Sequence, residues 1–173
     1  RWRASTLDLA RSRAAELDLK GASFPWRTIR GEECSAYWPA GTAAFHVNAD
    51  IAMAFERYRV VSGDDSIEKE CGLAVLVETA RMWLSLGHHD RYGRWRIDGV
   101  TGPDEYTAVV NNNTFTNLAA QQNLRDAVAA VQVAGDRLAQ GQDADRRRVA
   151  VMPVAQRLDA GLDDVAGRRH VGL

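Results

Sequence analysis

The sequence predicts an all-α fold. Three long stretches carry apolar residues at helical spacing, and almost nothing alternates with the period of two that a half-buried strand requires. Val60-Val61 and Val149-Ala150-Val151 are apolar runs too brief to count as strands.

Taken in order, an amphipathic helix is expected from Ser5 to Leu17, followed by a long loop from Gly21 to Gly41. A second helix spans Thr42 to Val61, where Val47, Ile51, Ala54, Tyr58 and Val61 step by four, three, four and three onto one face. Asp65, with Glu68 three residues later, has the form of a capping box for a third helix over 66–86. That helix is apolar at Ile67, Cys71, Ala74 and Val75, and again at Leu76, Val77, Ala80, Trp83 and Leu84. So wide an apolar surface suits a helix buried on more than one side, and it would be exposed if neighbouring helices were missing. A second long loop runs from Gly87 to Asn113. The last helix extends from Thr114 to about Leu138, with Leu124, Val128, Val131 and Leu138 on one face. Beyond Gln140 the pattern degrades into a basic run, Arg146-Arg147-Arg148, and no aromatic residue follows Phe115. The chain therefore divides into a helical domain over 1–140 and a divergent C-terminal tail over 141–173.

With 173 residues, 46% of them hydrophobic, the chain has enough material for one real core. Its 22 basic and 23 acidic residues leave a net charge of -1, which argues against nucleic acid or an acidic membrane as a partner. No apolar run approaches the ~20 residues of a membrane span. Arg1-Trp2-Arg3-Ala4 does not lead into a signal peptide. Cys34 and Cys71 form no CxxC pair, so no disulfide framework is expected and a reducing, cytoplasmic setting is the default. Arg1 in place of methionine suggests a piece of something longer.

The chemistry should lie in the two loops, which hold Trp26, Trp38 and Trp95 and many carboxylates, a mixture unlike disorder. Glu105 sits in Gly102-Pro103-Asp104-Glu105-Tyr106, a punctuated, rigid turn. Flanking by Pro103, Tyr106 and Val109 would desolvate its carboxyl and raise its pKa, as a general acid near neutral pH requires. The competing reading is a turn aspartate beside a solvated glutamate. His88-His89-Asp90 and Asp98 lack HExxH or His-x3-His spacing, so they are expected to tie down the loop by hydrogen bonds rather than bind a metal. Cys34 follows Glu32 and Glu33, which would raise its thiol pKa and oppose a nucleophilic role beside His46. Tyr37 and Trp38 beside carboxylates suit sugar rings, whose C–H faces stack while their hydroxyls need acceptors. By residue type alone they equally suit a plug at a helix–loop junction.

Three motifs in order, FPWRTIRGEECSAYWPAGTAAFHVNADIA, LVETARMWLSLGHHD and GRWRIDGVTGPDEYTAVVNNNTFTNL, carry a specific resemblance. The stretch Gly21 to Asn123 resembles the family 65 glycoside hydrolases and phosphorylases, which include maltose, trehalose and kojibiose phosphorylases. The resemblance implies part of an (α/α)6 barrel, in enzymes that are usually homodimers. They cleave an α-glucosyl disaccharide with inorganic phosphate, inverting the configuration to give β-glucose 1-phosphate and a free sugar. It assigns the general acid to Glu105 and the acceptor-side loop to Gly31–Trp38, with Glu33, Tyr37 and Trp38 as substrate-binding residues. It implies no metal or other cofactor, with phosphate as co-substrate. An inverting hydrolase needs a second carboxylate to activate water, whereas phosphate already carries the charge of a nucleophile, so one carboxyl suffices. The two loops are then expected at one end of the helices.

The sequence also departs from the family. The upstream Phe-Trp-Asp glucose-binding segment, the downstream Lys-Gln pair and the later phosphate-binding serine and histidine residues do not occur in it. Asn111 stands where family members commonly carry aspartate. Five or six helices are fewer than the twelve of a barrel. Two further readings follow: a trehalose hydrolase of the same family, and a non-catalytic helical remnant.

Overall fold

A computed structural model describes residues 1–35, 38–104 and 106–140. The expected tail over 141–173 and two expected site residues, Tyr37 and Glu105, lie outside the described residues. From the amino end the chain forms α1 (Trp2–Ser5), α2 (Leu7–Glu16), a 3₁₀ turn (Pro39–Ala43) and α3 (His46–Ser62). A π turn (Glu68–Gly72) leads directly into α4 (Leu73–Leu86). Two-residue strands β1 (His88–His89) and β2 (Trp95–Arg96) precede α5 (Thr114–Ala139).

The expected first helix is broken at Thr6, whose φ of -102° and ψ of 12° separate α1 from α2. The carboxyl end of α2 closes as a Schellman turn. Leu19 N–H reaches the Ala14 carbonyl at 2.8 Å, Asp18 N–H reaches Ala15 at 3.1 Å, and Asp18 takes the left-handed position at φ 56°. Aspartate is among the few residues other than glycine that visit this region readily. The capping box does not form as expected. Asp64 accepts from Ser66 N–H at 2.8 Å, while Asp65 pairs with Lys69 at 2.7 Å and Arg137 at 2.8 Å. Glu68 turns instead to Arg59 at 3.1 Å.

Helix α4 is surrounded. Val75 packs with Leu7, Ala10, Ala22, Phe24 and Ile51. Leu73, Leu76, Val77 and Ala80 meet Ala52 of α3 and the α5 face that includes Leu124, Ala127, Val128 and Val131. Met82 and Trp83 complete a third side with Phe45, Ala49, Ile97, Val100, Ala119 and Ala120. Alanines on α3 and α5 keep these backbones close. The side chain of Leu138 is outside the described ones.

Two expectations change here. The wide apolar surface of α4 is covered within the chain itself. Exposed apolar residues include Trp2 of α1 and Tyr58, Val60 and Val61 of α3. Of the predicted α3 stripe, Val47 and Ile51 reach the core, while Ala54, Tyr58 and Val61 do not. Ala54 and Tyr58 border a groove of about 340 Å³ between α1 and α3, lined also by Trp2, Ile51, Phe55 and Ile67 among others. Periodicity gives a face but not its covering. Among the described residues no helix is long and apolar enough to cross a membrane.

The one polar group on the buried Trp83 ring, its indole N–H, donates to Asn123 Oδ1 at 3.0 Å. Asn123→Ala strands that donor in an apolar interior, at an expected cost of about 1–3 kcal/mol. Urea unfolding should show a lower midpoint with an unchanged slope.

Candidate functional site

The first loop is stitched down along its length. Gly21, at φ 75°, lies so close to α4 that an added Cβ would sit 2.1 Å from the Glu78 carbonyl oxygen. Only glycine fits. Ala22 N–H then donates to Glu78 O at 3.0 Å, Ser23 N–H to Ala10 O at 2.9 Å, and Phe24 N–H to Asn48 Oδ1 at 2.6 Å. The chain is thus fixed in turn to α4, α2 and α3.

Arg13 of α2 is the loop's internal brace. Its buried guanidinium donates to Ser23 Oγ at 2.7 Å and to the Thr42 carbonyl at 2.7 Å, and pairs with Glu33 Oε2 at 2.9 Å. Burial lowers its pKa from the ordinary value, with the Glu33 carboxylate opposing. A guanidinium nonetheless stays charged at any physiological pH. The other Glu33 oxygen accepts Ser35 N–H at 2.8 Å. Sequence reasoning missed Arg13, although a signal was present: it falls three residues after Ala10 on the apolar face of α2.

Trp38 is half-buried and meets Trp26 edge to face, with centroids 5.5 Å apart. Arg27 covers Trp26 at 5.0 Å. The Cys34 thiol donates to the Arg27 carbonyl at 3.3 Å. His46 is buried at the start of α3 and faces Phe115 edge-on at 5.9 Å.

The second loop opens with the short antiparallel ribbon of β1 and β2, which sequence reading did not expect. Asp90 builds its turn by accepting Tyr92 N–H at 2.8 Å and Arg94 N–H at 2.9 Å. His88 and Arg96 both approach Asp98, at 3.4 and 3.2 Å. Among the described residues no group of three or more His, Cys, Asp or Glu side chains is placed to hold a metal ion.

Val100 and Val110 then pair as a bridge, with N–H···O distances of 3.0 and 2.8 Å. Above that stem Thr101 reaches across to the first loop. Its N–H donates to Ala43 O at 2.9 Å, and its hydroxyl lies between the carbonyls of Ala40 and Ala108. The 3₁₀ turn that follows Trp38 and the turn that contains position 105 are therefore held together. Gly102 N–H donates to Thr107 O at 2.9 Å, and a Cβ on Gly102 would meet Thr107 Oγ1 at 2.3 Å. Asp104 Oδ1 accepts both the Thr107 hydroxyl and, at 3.2 Å, its N–H. These bonds, the hydroxyl's first, hold the Asp104 carboxyl below its usual pKa. Asp104 is the carboxylate that builds the turn. Pro103, Tyr106 and Val109, expected to shield a neighbouring carboxyl, are all exposed, Tyr106 by 96%.

The family model described as the glycosyl hydrolase family 65 central catalytic domain matches residues 1–155. An uncharacterized glycosyl hydrolase of Mycobacterium tuberculosis is 77% identical over 130 residues, which are 75% of this chain and 16% of that protein. An alpha,alpha-trehalose phosphorylase of Geobacillus stearothermophilus is 53% identical over 131 residues, 75% of this chain and 17% of that enzyme. A solved structure provisionally designated a kojibiose phosphorylase, from the human microbiome, superimposes with a TM-score of 0.70 at 28% identity. That likeness covers 90% of this chain and 24% of the other. The chain thus spans about one sixth of the length of the two relatives named.

The lowered pKa of Asp104 makes the turn pH-dependent in a definite direction. A carboxylate stabilised in the folded state adds stability above its unfolded pKa of about 4, and that contribution is lost as the pH falls through the lower folded value. NMR titration should therefore show the Thr107 amide reporting a midpoint below the ordinary aspartate range. Thr107→Val should move that midpoint upward.

Proposed function

The chain belongs to glycosyl hydrolase family 65, as part of its all-α barrel, and from that premise we propose that it forms the acid-bearing segment of an inverting disaccharide phosphorylase. The observation that carries this reading is the tie, through Thr101, between the turn holding Glu105 and the turn behind Trp38. A phosphorylase must bring a proton donor to the glycosidic oxygen while the leaving sugar rests on a binding surface. Glu105 is the proposed donor. Its neighbour Asp104 already spends its carboxylate on Thr107 and is held ionised, so the division of labour between the two carboxyls follows from the turn.

In the proposed reaction a phosphate oxygen attacks the anomeric carbon of an α-glucosyl unit from the face opposite the departing sugar. The carbon–oxygen bond breaks, and Glu105 gives its proton to the leaving oxygen. The products are β-glucose 1-phosphate and the free sugar, and the carboxylate regains its proton from solvent. Trp38 and Tyr37 are the proposed stacking surfaces of the leaving sugar. Glu33 keeps unused lone pairs on oxygens already fixed by Arg13 and Ser35, and these are proposed to accept sugar hydroxyls. The trehalose phosphorylase relative, at 53% identity, favours a trehalose-type disaccharide. The whole enzyme is proposed to be a homodimer acting in the cytoplasm without a metal or organic cofactor.

Hydrolysis is the second reading, favoured by the glycosyl hydrolase name of the mycobacterial relative. Omitting phosphate distinguishes the two, since a phosphorylase then releases no sugar and a hydrolase is unaffected. In the full-length enzyme carrying this segment, Glu105→Gln should lower kcat on the disaccharide by about 10²–10⁴-fold. It should have little effect on α-glucosyl fluoride, whose leaving group needs no proton. Equal losses on both substrates would remove Glu105 from the acid role.

A further inference from the structure

We infer that Thr101 is a positioning residue for this reaction, holding the acid-bearing turn in register with the leaving-sugar surface at Trp38. The inference rests on the assignment of Glu105 as the acid. Thr101 is 1% exposed, although Pro103 and Asp104 close by are exposed. Its hydroxyl joins segments 61 and 7 residues away, at Ala40 and Ala108, and its N–H adds a third tie to Ala43.

Those three carbonyls have separate consequences. Ala40 and Ala43 belong to the 3₁₀ turn that begins immediately after Trp38, so they fix the height of the loop against the aromatic surface. Ala108 lies on the returning arm of the acid's own turn, so the hydroxyl's single proton goes either across to Ala40 or back to Ala108, at the point where the two loops meet. The Val100–Val110 bridge one residue below is made by backbone alone and survives loss of the hydroxyl. Removing the hydroxyl therefore leaves the two loops hydrogen-bonded, among the described residues, only by the Thr101 N–H to Ala43, which loosens their register while the stem stays in place. General acid catalysis is sensitive to such a change, because the donor must lie within hydrogen-bond reach of the leaving oxygen. A displacement of about 1 Å can cost about 10²-fold in rate.

The test compares Thr101→Val, Thr101→Ser and Glu105→Gln in the full-length enzyme carrying this segment. The substrates are the natural disaccharide and α-glucosyl fluoride, each with phosphate. Thr101→Val is expected to lower kcat on the disaccharide by about 10–10²-fold and on the fluoride by less than about 3-fold. Its KM for phosphate should not move. Thr101→Ser, which keeps the hydroxyl, should restore the disaccharide rate to within about 3-fold of the parent. Should Thr101→Val not accumulate as folded protein, Thr101→Ala removes the hydroxyl without placing a methyl against the carbonyls and gives the same comparison. Equal losses on both substrates, no loss on either, or failure of serine to rescue would overturn the inference. If Glu105→Gln itself shows no dependence on the leaving group, the acid assignment falls, and this inference falls with it. If Glu105→Gln shows that dependence and Thr101→Val does not, only the role of Thr101 is refuted.

Discussion

Burial of α4 on three sides is the constraint on which the rest of the structure depends. Trp83, Leu76, Met82 and Val75 are all fully buried on that one helix, and each such side chain contributes about 1.5–3 kcal/mol by leaving water. Each side of α4 then dictates a neighbour. Val75 draws in α2 and Phe24, the Leu76–Ala80 face draws in α5, and Met82 with Trp83 draws in Ile97 and Val100. The first loop is pinned to α4 at Gly21 and Ala22, and the second is anchored on α4 through Val100. Both loops therefore start from points fixed by the same helix, and their meeting at Thr101 follows from that common origin.

The loops themselves are held by buried polar groups. Arg13 donates to Ser23 and Thr42 while ion-pairing with Glu33, and Thr101 satisfies Ala43 and Ala40 or Ala108. Such groups add little net stability when complete, because they gave up equally good partners in water. Their effect is on uniqueness. A loop displaced by one residue would leave a buried guanidinium or carbonyl unpaired, which costs more than the native bond gains. This is how a segment with so little regular structure keeps one shape beside a helical core.

The fold was legible where a side chain's environment follows from its spacing. The α4 and α5 stretches show this, with Leu124, Val128 and Val131 buried on the face their period assigns. Spacing says which residues share a face and not what covers it. Tyr58 and Val61 therefore share the face of Ile51 yet remain exposed. The Glu105 turn was visible through Gly102 and Pro103, because those residues punctuate a chain locally. Arg13, Thr101 and the Asp104–Thr107 pair were not read as site features. The contacts of the first two are with residues far away in sequence, and a threonine between a valine and a glycine carries no local mark. The side chains of Pro103, Tyr106 and Val109 face solvent for a related reason: adjacency in sequence does not decide which way a turn projects, and Glu105 itself lies outside the described residues.

That outward projection bears on how an acid on this turn could work. A general acid must hold its proton near neutral pH, and the usual means is an apolar pocket that penalises the carboxylate. Among the described residues, Tyr106 and Val109 face solvent rather than forming such a pocket. Phosphorolysis offers another means. A phosphate bound near the scissile bond is an anion, and like charge close to a carboxyl favours its protonated form. Asp104, ionised beside Thr107, acts in the same direction from within the turn. On the proposed mechanism the co-substrate thus raises the affinity of the acid for its proton, and the acid is most fully protonated when the nucleophile is in place. Water brings no such charge. A hydrolase built on the same turn would need another source for that shift, as well as the carboxylate base that its nucleophile requires.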